Sequence, residues 1–150
     1  MPQSLAKVYI HLVFSTKYRE RCLTDNVRQP LHSYMASVLQ NIDCPAVIIN
    51  SVEDHIHILF KLSRVIALCK AAEEVKKSSS KWIKTQGVEF AEFSWQRGYG
   101  AFAVNERGLS TVKRYIANQR AHHSKKNFQD EYIAYLLENK IEYDERYVWD

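Results

Sequence analysis

The feature that most constrains the fold is the order in which two hydrophobic periodicities follow one another along the chain. Residues 7–15 alternate apolar and polar side chains, which is typical of a half-buried strand. The next segment instead repeats its apolar residues at helical spacing, behind Asp25 as a helix cap. The predicted elements are strand 7–15, helix 25–41, strands 46–52 and 55–61, helix 63–85 and strand 99–104.

This order of elements matches the ferredoxin-like split βαβ arrangement, an α+β fold. Its antiparallel sheet carries both crossover helices on one face, so we expect the other face to be open for chemistry. Two further helices are predicted at about 109–123 and 128–139, before an irregular tail. We therefore expect one domain over residues 1–150, made of a core at 1–105, a helical segment at 106–140 and an acidic tail at 141–150.

Charge is distributed unevenly along the chain. Residues 1–129 hold 19 Lys and Arg against 10 Asp and Glu, whereas residues 130–150 hold 2 against 7. A basic body is compatible with a polyanionic partner but does not establish one. The acidic tail is either a solvated or docking extension or a brace for a dimer, with Tyr143, Tyr147 and Trp149 as anchors.

Several classes of protein are excluded by what the sequence lacks. No apolar run approaches the roughly 20 residues that span a bilayer, and the first residues do not follow the order of a signal peptide. Cys22, Cys44 and Cys69 are too widely spaced for a zinc ribbon and odd in number for a disulfide framework. We expect a cytoplasmic protein without a membrane partner, with its thiols reduced.

The first candidate site is the pair of histidines in the segment His55-Ile56-His57. Side chains at i and i+2 of a strand project to one face, so the two imidazoles stand side by side. Two such imidazoles supply half of a divalent-metal site. Taken alone, the pair is a weak signal, because two histidines on a half-exposed strand are more often simple surface residues.

The second candidate site is the segment that joins Tyr115 and Gln119. Residues at i and i+4 lie on one helix face, so the phenol and the amide are expected to point the same way. A tyrosine on an amphipathic helix is also a common core residue, and the chain has nine tyrosines.

Five segments occur together in one order: 11–17 (HLVFSTK), 52–59 (VEDHIHIL), 77–82 (KSSSKW), 95–100 (WQRGYG) and 115–119 (YIANQ). In this combination the chain resembles the HUH single-tyrosine transposases of the smallest bacterial insertion sequences and their relatives associated with repetitive palindromes. The resemblance implies an enzyme with Tyr115 as nucleophile and with His55, His57 and Gln119 as ligands of Mg²⁺ or Mn²⁺. It also implies single-stranded DNA with hairpin ends as substrate, a 5′-phosphotyrosine intermediate, and a homodimer in which the tyrosine helix serves the partner's histidines. Because such an intermediate stores the energy of the broken bond, no nucleotide cofactor is expected.

Other residues are candidates for supporting roles. Glu53 shares strand parity with the histidine pair, so it is a candidate hydrogen-bond partner of a metal-binding histidine, with a solvated turn carboxylate as the alternative. His11 is predicted to face the same side of the sheet, near the DNA path or beside a histidine, unless it is a satisfied core residue. Basic grooves and aromatic rings hold single strands, and the candidate contacts are Lys76, Lys77, Lys81, Arg97, Lys113, Arg114, Arg120, Lys125 and Lys126.

Two other functions remain open at this point. One is a domesticated hairpin-DNA-binding protein with weak or no strand transfer, which the intact Tyr115 and histidine pair disfavour. The other is a metal-dependent nuclease that activates water, which would leave no adduct on the tyrosine.

Overall fold

The computed structural model describes residues 2–123 and 126–150, and its core elements follow the predicted order. All six core elements are present, and the described residues of the C-terminal part form three α-helices rather than two. The strands and helices are β1 (Val8–Ser15), α1 (Asp25–Asn41), β2 (Ala46–Ser51), β3 (His55–Leu62), α2 (Leu68–Ile83), β4 (Gly100–Val104), α3 (Leu109–Ala117), α4 (Gln119–His123) and α5 (Phe128–Glu138). Within these described ranges, no helix is both long and apolar enough to cross a membrane.

The four strands form an antiparallel sheet in the order β2-β3-β1-β4. β1 and β3 are the central pair, and their register sets Val13 opposite His57 and Ser15 opposite His55. This is the topology of the ferredoxin-like α+β fold that the sequence predicted. The central position of β3 matters for function, because it buries the backbone that carries both histidines.

One face of the sheet packs on α1 and α2 and forms the main core. Leu12 and Phe14 of β1 and Ile56 of β3 are fully buried there, as the two-residue periodicity of the strands requires. Each such side chain contributes about 1.5–3 kcal/mol to folding by leaving water. The odd-numbered residues of the same strands, including His11 and His57, are thereby directed to the opposite face.

The opposite face is covered by the C-terminal helices rather than left open. Phe128, Tyr132 and Leu136 form a stripe on α5 and pack with Val13 and Phe102 of the sheet. An apolar stripe of this kind has to be buried somewhere, and the free face of the sheet is the surface beside it. The histidines on this face are consequently buried, not half-exposed as predicted.

The acidic tail docks on its own chain. The Trp149 ring lies 5.8 Å from the ring of Tyr132 and 6.3 Å from that of Phe128, and Tyr143 also packs on this cluster. Of the three predicted anchors, Tyr147 is the exposed one, at 62%. Of the predicted alternatives for the tail, a docking extension fits this structure, and the tail docks on its own chain.

Two predicted helix boundaries were wrong. The second helix begins at Leu68 instead of Ser63, because the Ser63 hydroxyl accepts a hydrogen bond from the Val65 amide and so closes a local turn. The predicted helix 109–123 is divided at Asn118 into α3 and α4. Asn50 of β2 donates its side-chain amide to the carbonyls of Ile116 (2.8 Å) and Ala117 (3.3 Å), at the end of α3. These bonds take the last acceptors of the helix and end it over the sheet.

His32 of α1 is a buried histidine away from the candidate site, and it makes stability depend on pH. Its Nε2 lies 2.7 Å from the Ser51 hydroxyl, and burial, with a smaller effect of Arg28, lowers its pKa to about 4. The unfolded chain therefore binds more protons than the folded chain between about pH 6.5 and pH 4, and stability falls as pH falls through this window. From pH 7 to pH 5 we expect His32 alone to remove about 2 kcal/mol.

Replacing His32 with glutamine should remove this contribution, because glutamine does not titrate and can still bond Ser51. Urea unfolding of both proteins at pH 7 and pH 5 measures the effect as a smaller pH-dependent loss in the variant. The other buried histidines are common to both proteins and cancel in the comparison. Equal losses in the two proteins would contradict the assignment.

Candidate active site

The histidine pair lies in the centre of the covered face. His55 is 1% exposed and His57 is 0% exposed, and their rings lie 5.2 Å apart. Both therefore depend on protein groups, not water, for their hydrogen bonds. The prediction that they stand side by side on one strand face is met by this geometry.

His11 of β1 is the neighbour of His57. Its Nε2 lies 2.8 Å from His57 Nδ1, and the two rings are stacked. Burial lowers the pKa of His11 to about 3 and that of His57 to about 4, so both imidazoles are neutral at physiological pH. The bond occupies Nδ1 of His57 and leaves its Nε2 facing away from β1, toward the C-terminal helices.

His55 is oriented by the turn that precedes it. Its Nδ1 lies 2.7 Å from Asp54 Oδ1, and its Nε2 lies 3.0 Å from Nε2 of His123 on α4. Burial opposes a charge on His55, but hydrogen bonds with Asp54 and Glu131 outweigh it and raise the pKa. Like His57, His55 presents Nε2 to the interior of the site.

Tyr115 of α3 is held over the sheet by the bond from Asn50 to the end of its helix. Its ring lies 5.8 Å from the ring of His57 in the same chain. The hydroxyl donates to Oε2 of Glu131 and lies 3.3 Å from His122 Nε2. Burial and the hydrogen bond to the Glu131 carboxylate both raise the pKa of Tyr115, so without a cation it is a phenol.

Gln119 is fully buried at the first position of α4. Its amide nitrogen donates to the Tyr115 carbonyl at 3.2 Å, which follows from the spacing of four residues. Its Oε1 is a buried oxygen that makes no hydrogen bond to any described residue. A buried acceptor without a donor is costly, and a cation is one group that would satisfy it.

Glu131 of α5 is the site residue that sequence reasoning did not single out. It is 2% exposed, and its Oε1 lies 3.0 Å from His57 Nε2 while its Oε2 lies 3.1 Å from Nε2 of both His122 and His123. Burial would raise its pKa, but hydrogen bonds from His123, His55 and His57 outweigh burial and lower it. The sequence feature that could have indicated an inward-facing Glu131 was its position on the apolar stripe of α5.

Four of these residues form a cluster suited to a metal ion. The ligand atoms of His55, His57, His123 and Glu131 all lie within 4.8 Å of one another. Imidazole nitrogens and a carboxylate oxygen are ligands that divalent first-row metals accept. The donor set thus fits a divalent cation.

Tyr115 is reached from the surface through an open cleft of about 730 Å³. Arg114, Asn118, His122 and Lys126 line this cleft beside the tyrosine. Arg114 and Lys126 are basic, so cations stand at the entrance to the nucleophile. Lys113 is exposed but does not line the cleft. A polyanion can approach the phenol from this side.

The remaining candidates do not line the cleft beside Tyr115. Glu53 pairs with Arg21 (3.3 Å) and Arg120 (3.4 Å), not with a histidine of the described chain. Lys77 and Arg97 line a separate pocket together with Lys76. Lys81 is exposed, and Lys125 lies outside the described residues.

Lys76 has a structural use. Its ammonium donates to three successive carbonyls, those of residues 96, 97 and 98, at 2.7–2.8 Å. These bonds fix the loop that carries Arg97.

Comparisons with known proteins agree with this architecture. The family model described as "Transposase IS200 like" matches residues 4–119. A crystal structure of a proposed transposase from Deinococcus radiodurans R1 is similar, with a TM-score of 0.62 and 20% identity over 79% of this chain and 98% of that chain. A REP-associated tyrosine transposase bound to a REP hairpin is also similar, with a TM-score of 0.60 and 16% identity over 82% of this chain and 73% of that chain. No curated protein matches the chain.

Proposed function

The chain belongs to the family of IS200-like transposases, and from that premise we propose that it cuts and rejoins single-stranded DNA in the cytoplasm. Tyr115 is the nucleophile, and the product of cleavage is a 5′-phosphotyrosine linkage. The observation that carries this proposal is the Tyr115 hydroxyl, which lies against the buried cluster of histidines and Glu131 in the same chain. Nucleophile and cation ligands within one site are what the reaction requires.

Cleavage by Tyr115 conserves the bond energy of the DNA strand. The phenol loses its proton, its oxygen bonds to phosphorus, and the bond from phosphorus to the 3′ oxygen breaks. The 3′ oxygen takes up a proton and leaves as a hydroxyl. Because one phosphodiester replaces another, a 3′ hydroxyl can later reverse the step without a nucleotide cofactor.

Forming the phenolate is the costly part of this step. For an ordinary tyrosine the cost at pH 7 is about 4 kcal/mol, and burial beside Glu131 increases it. We propose that His55, His57 and Gln119 hold Mg²⁺ or Mn²⁺, which supplies positive charge for the phenolate and the scissile phosphate. The neutral state of His57 and the free oxygen of Gln119 support these roles.

DNA approaches through the cleft beside Tyr115. Arg114 and Lys126 line it, where they can contact the phosphates on either side of the scissile bond. One structural neighbour is a transposase bound to a REP hairpin. By this likeness, we assign hairpin-bearing single-stranded DNA to this chain as well.

The proposal includes a homodimer, with one modification of what the family resemblance implies. Tyr115 and His57 of one chain already lie together, so each chain can hold its own complete site. A dimer then serves to bring two DNA ends together and does not have to complete a site.

The test is a search for covalent protein–DNA adducts. The protein is incubated with Mn²⁺ and a labelled single strand that carries a hairpin, and the products are separated under denaturing conditions. We expect a slower-migrating adduct whose tryptic peptide, analysed by mass spectrometry, carries a nucleotide on Tyr115. Cleavage without an adduct would indicate the water-using nuclease, and hairpin binding with no cleavage would indicate the binding protein.

A further inference from the structure

Glu131 lies beyond residues 4–119, which carry the family match, yet its carboxylate is at the centre of the site. A buried carboxylate needs opposite charge or several donors. No lysine or arginine of the described chain lies within salt-bridge distance of it, and its ionisable neighbours are the four histidines of this face. These histidines can bind a cation together with Glu131, and they can equally donate hydrogen bonds to its carboxylate.

The two oxygens of Glu131 face different groups. Oε1 lies 3.0 Å from His57 Nε2 and 3.4 Å from His55 Nε2. Oε2 lies 3.1 Å from His123 Nε2 and accepts the hydrogen bond of the Tyr115 hydroxyl. The carboxylate thus joins the histidine pair to the nucleophile.

Three distances between these atoms also match those between ligands around one ion. With metal–ligand bonds of about 2.1 Å, neighbouring ligand atoms lie about 3.0 Å apart in an octahedral shell and about 3.4 Å apart in a tetrahedral one. The distances from His57 to Glu131 (3.0 Å), from His55 to Glu131 (3.4 Å) and from His55 to His123 (3.0 Å) fall at these values.

The Nε2 atoms of His55 and His123 face each other. They lie 3.0 Å apart, and Nε2 of His55 also lies 3.4 Å from Glu131 Oε1, while its Nδ1 is bound to Asp54. Two ring nitrogens at this distance need either a shared proton or a cation between them. A divalent cation in this position would replace the proton and would also neutralise the Glu131 carboxylate.

We propose that Glu131 and His123 are further metal ligands, which join His55, His57 and Gln119 in a site of three imidazoles, one carboxylate and one amide oxygen. The proposal rests on the proposed function for its use, since the second oxygen of Glu131 then fixes the Tyr115 hydroxyl beside the cation. Three imidazoles favour a first-row transition ion such as Mn²⁺ over Mg²⁺, which prefers oxygen ligands. Glu131 is in this respect a positioning residue for the nucleophile and sets the choice of metal.

The experiment is calorimetric titration of MnCl₂ into metal-free protein, without DNA. We expect one Mn²⁺ per chain and a Kd that rises at least about tenfold in Glu131→Gln. Glutamine keeps the size of the side chain but loses its charge. Glu138→Gln, on the exposed end of the same helix, is the matched control and should bind Mn²⁺ as the unmodified protein does.

A second variant covers the case in which Glu131→Gln does not fold. His123 is half-buried on the short helix α4, and His123→Asn should weaken Mn²⁺ binding by a similar factor in folded protein. An unchanged Kd in folded Glu131→Gln or in His123→Asn would overturn the proposal, as would failure of the unmodified protein to bind Mn²⁺. The two proposals can fail separately. If Mn²⁺ binding depends on both residues but no hairpin strand gives an adduct, the metal site is supported and the proposed function is contradicted.

Discussion

Replacing Tyr115 with phenylalanine should abolish the covalent protein–DNA adduct, a loss of at least about a thousandfold. The change removes one oxygen and leaves the ring packed beside His57 and His11. Glu131 keeps its histidine partners, so the variant should fold and bind Mn²⁺ as the unmodified protein does. Densitometry of adduct against time, with circular dichroism as a check on folding, measures the effect.

Tyr135 is the control that makes this result specific. It lies on α5 with its ring 5.8 Å from that of Tyr115 and 5.2 Å from that of His11, so it is a second phenol near the site. Tyr135→Phe should keep adduct formation within a few-fold of the unmodified protein. Loss of the adduct in this variant and its retention in Tyr115→Phe would move the nucleophile to Tyr135.

The fold was predictable because the strands of its sheet show a local two-residue alternation of apolar and polar side chains. Strict alternation in β1 and β3 assigns each side chain to a face, and β3 ends up central because the split βαβ order leaves no other place for it. The alternation also placed His11, His55 and His57 together on one face before any contact was known. This alternation did not predict that the three histidines are buried, because the helices that cover them follow later in the chain.

The centre of the site was less predictable, for two physical reasons. A glutamate on an amphipathic helix is normally solvated, and only the packing of Phe128 and Tyr132 on the sheet turns Glu131 inward. The helix break at Asn118 contains no proline or glycine, the residues that usually indicate a break in sequence. It depends instead on Asn50, 68 positions away in sequence, whose side-chain amide bonds the end of α3. Both features arise from tertiary contacts, which the sequence pattern of one segment does not contain.

His57 is the residue whose loss we expect to disable both metal binding and cleavage. His57→Ala removes Nε2 from the cluster and leaves His11 and Glu131 each without one close partner. We expect Mn²⁺ binding to become too weak for calorimetry to detect. Adduct formation should fall at least about a hundredfold. Chelation of the metal from unmodified protein with EDTA should give the same loss of adduct, and added Mn²⁺ should restore it.

His32→Ala separates this chemical effect from a loss of stability. His32 is also a buried histidine with a hydrogen bond of its own, to Ser51, but its side chain lies outside the cluster. Both alanine variants leave a cavity and an unpaired polar group, so each should lose about 2–4 kcal/mol of unfolding free energy. Only His57→Ala should lose Mn²⁺ binding and the adduct, because only that change removes a ligand atom. If both variants lost them equally while folded, the cluster around His57 would have no special part in the reaction.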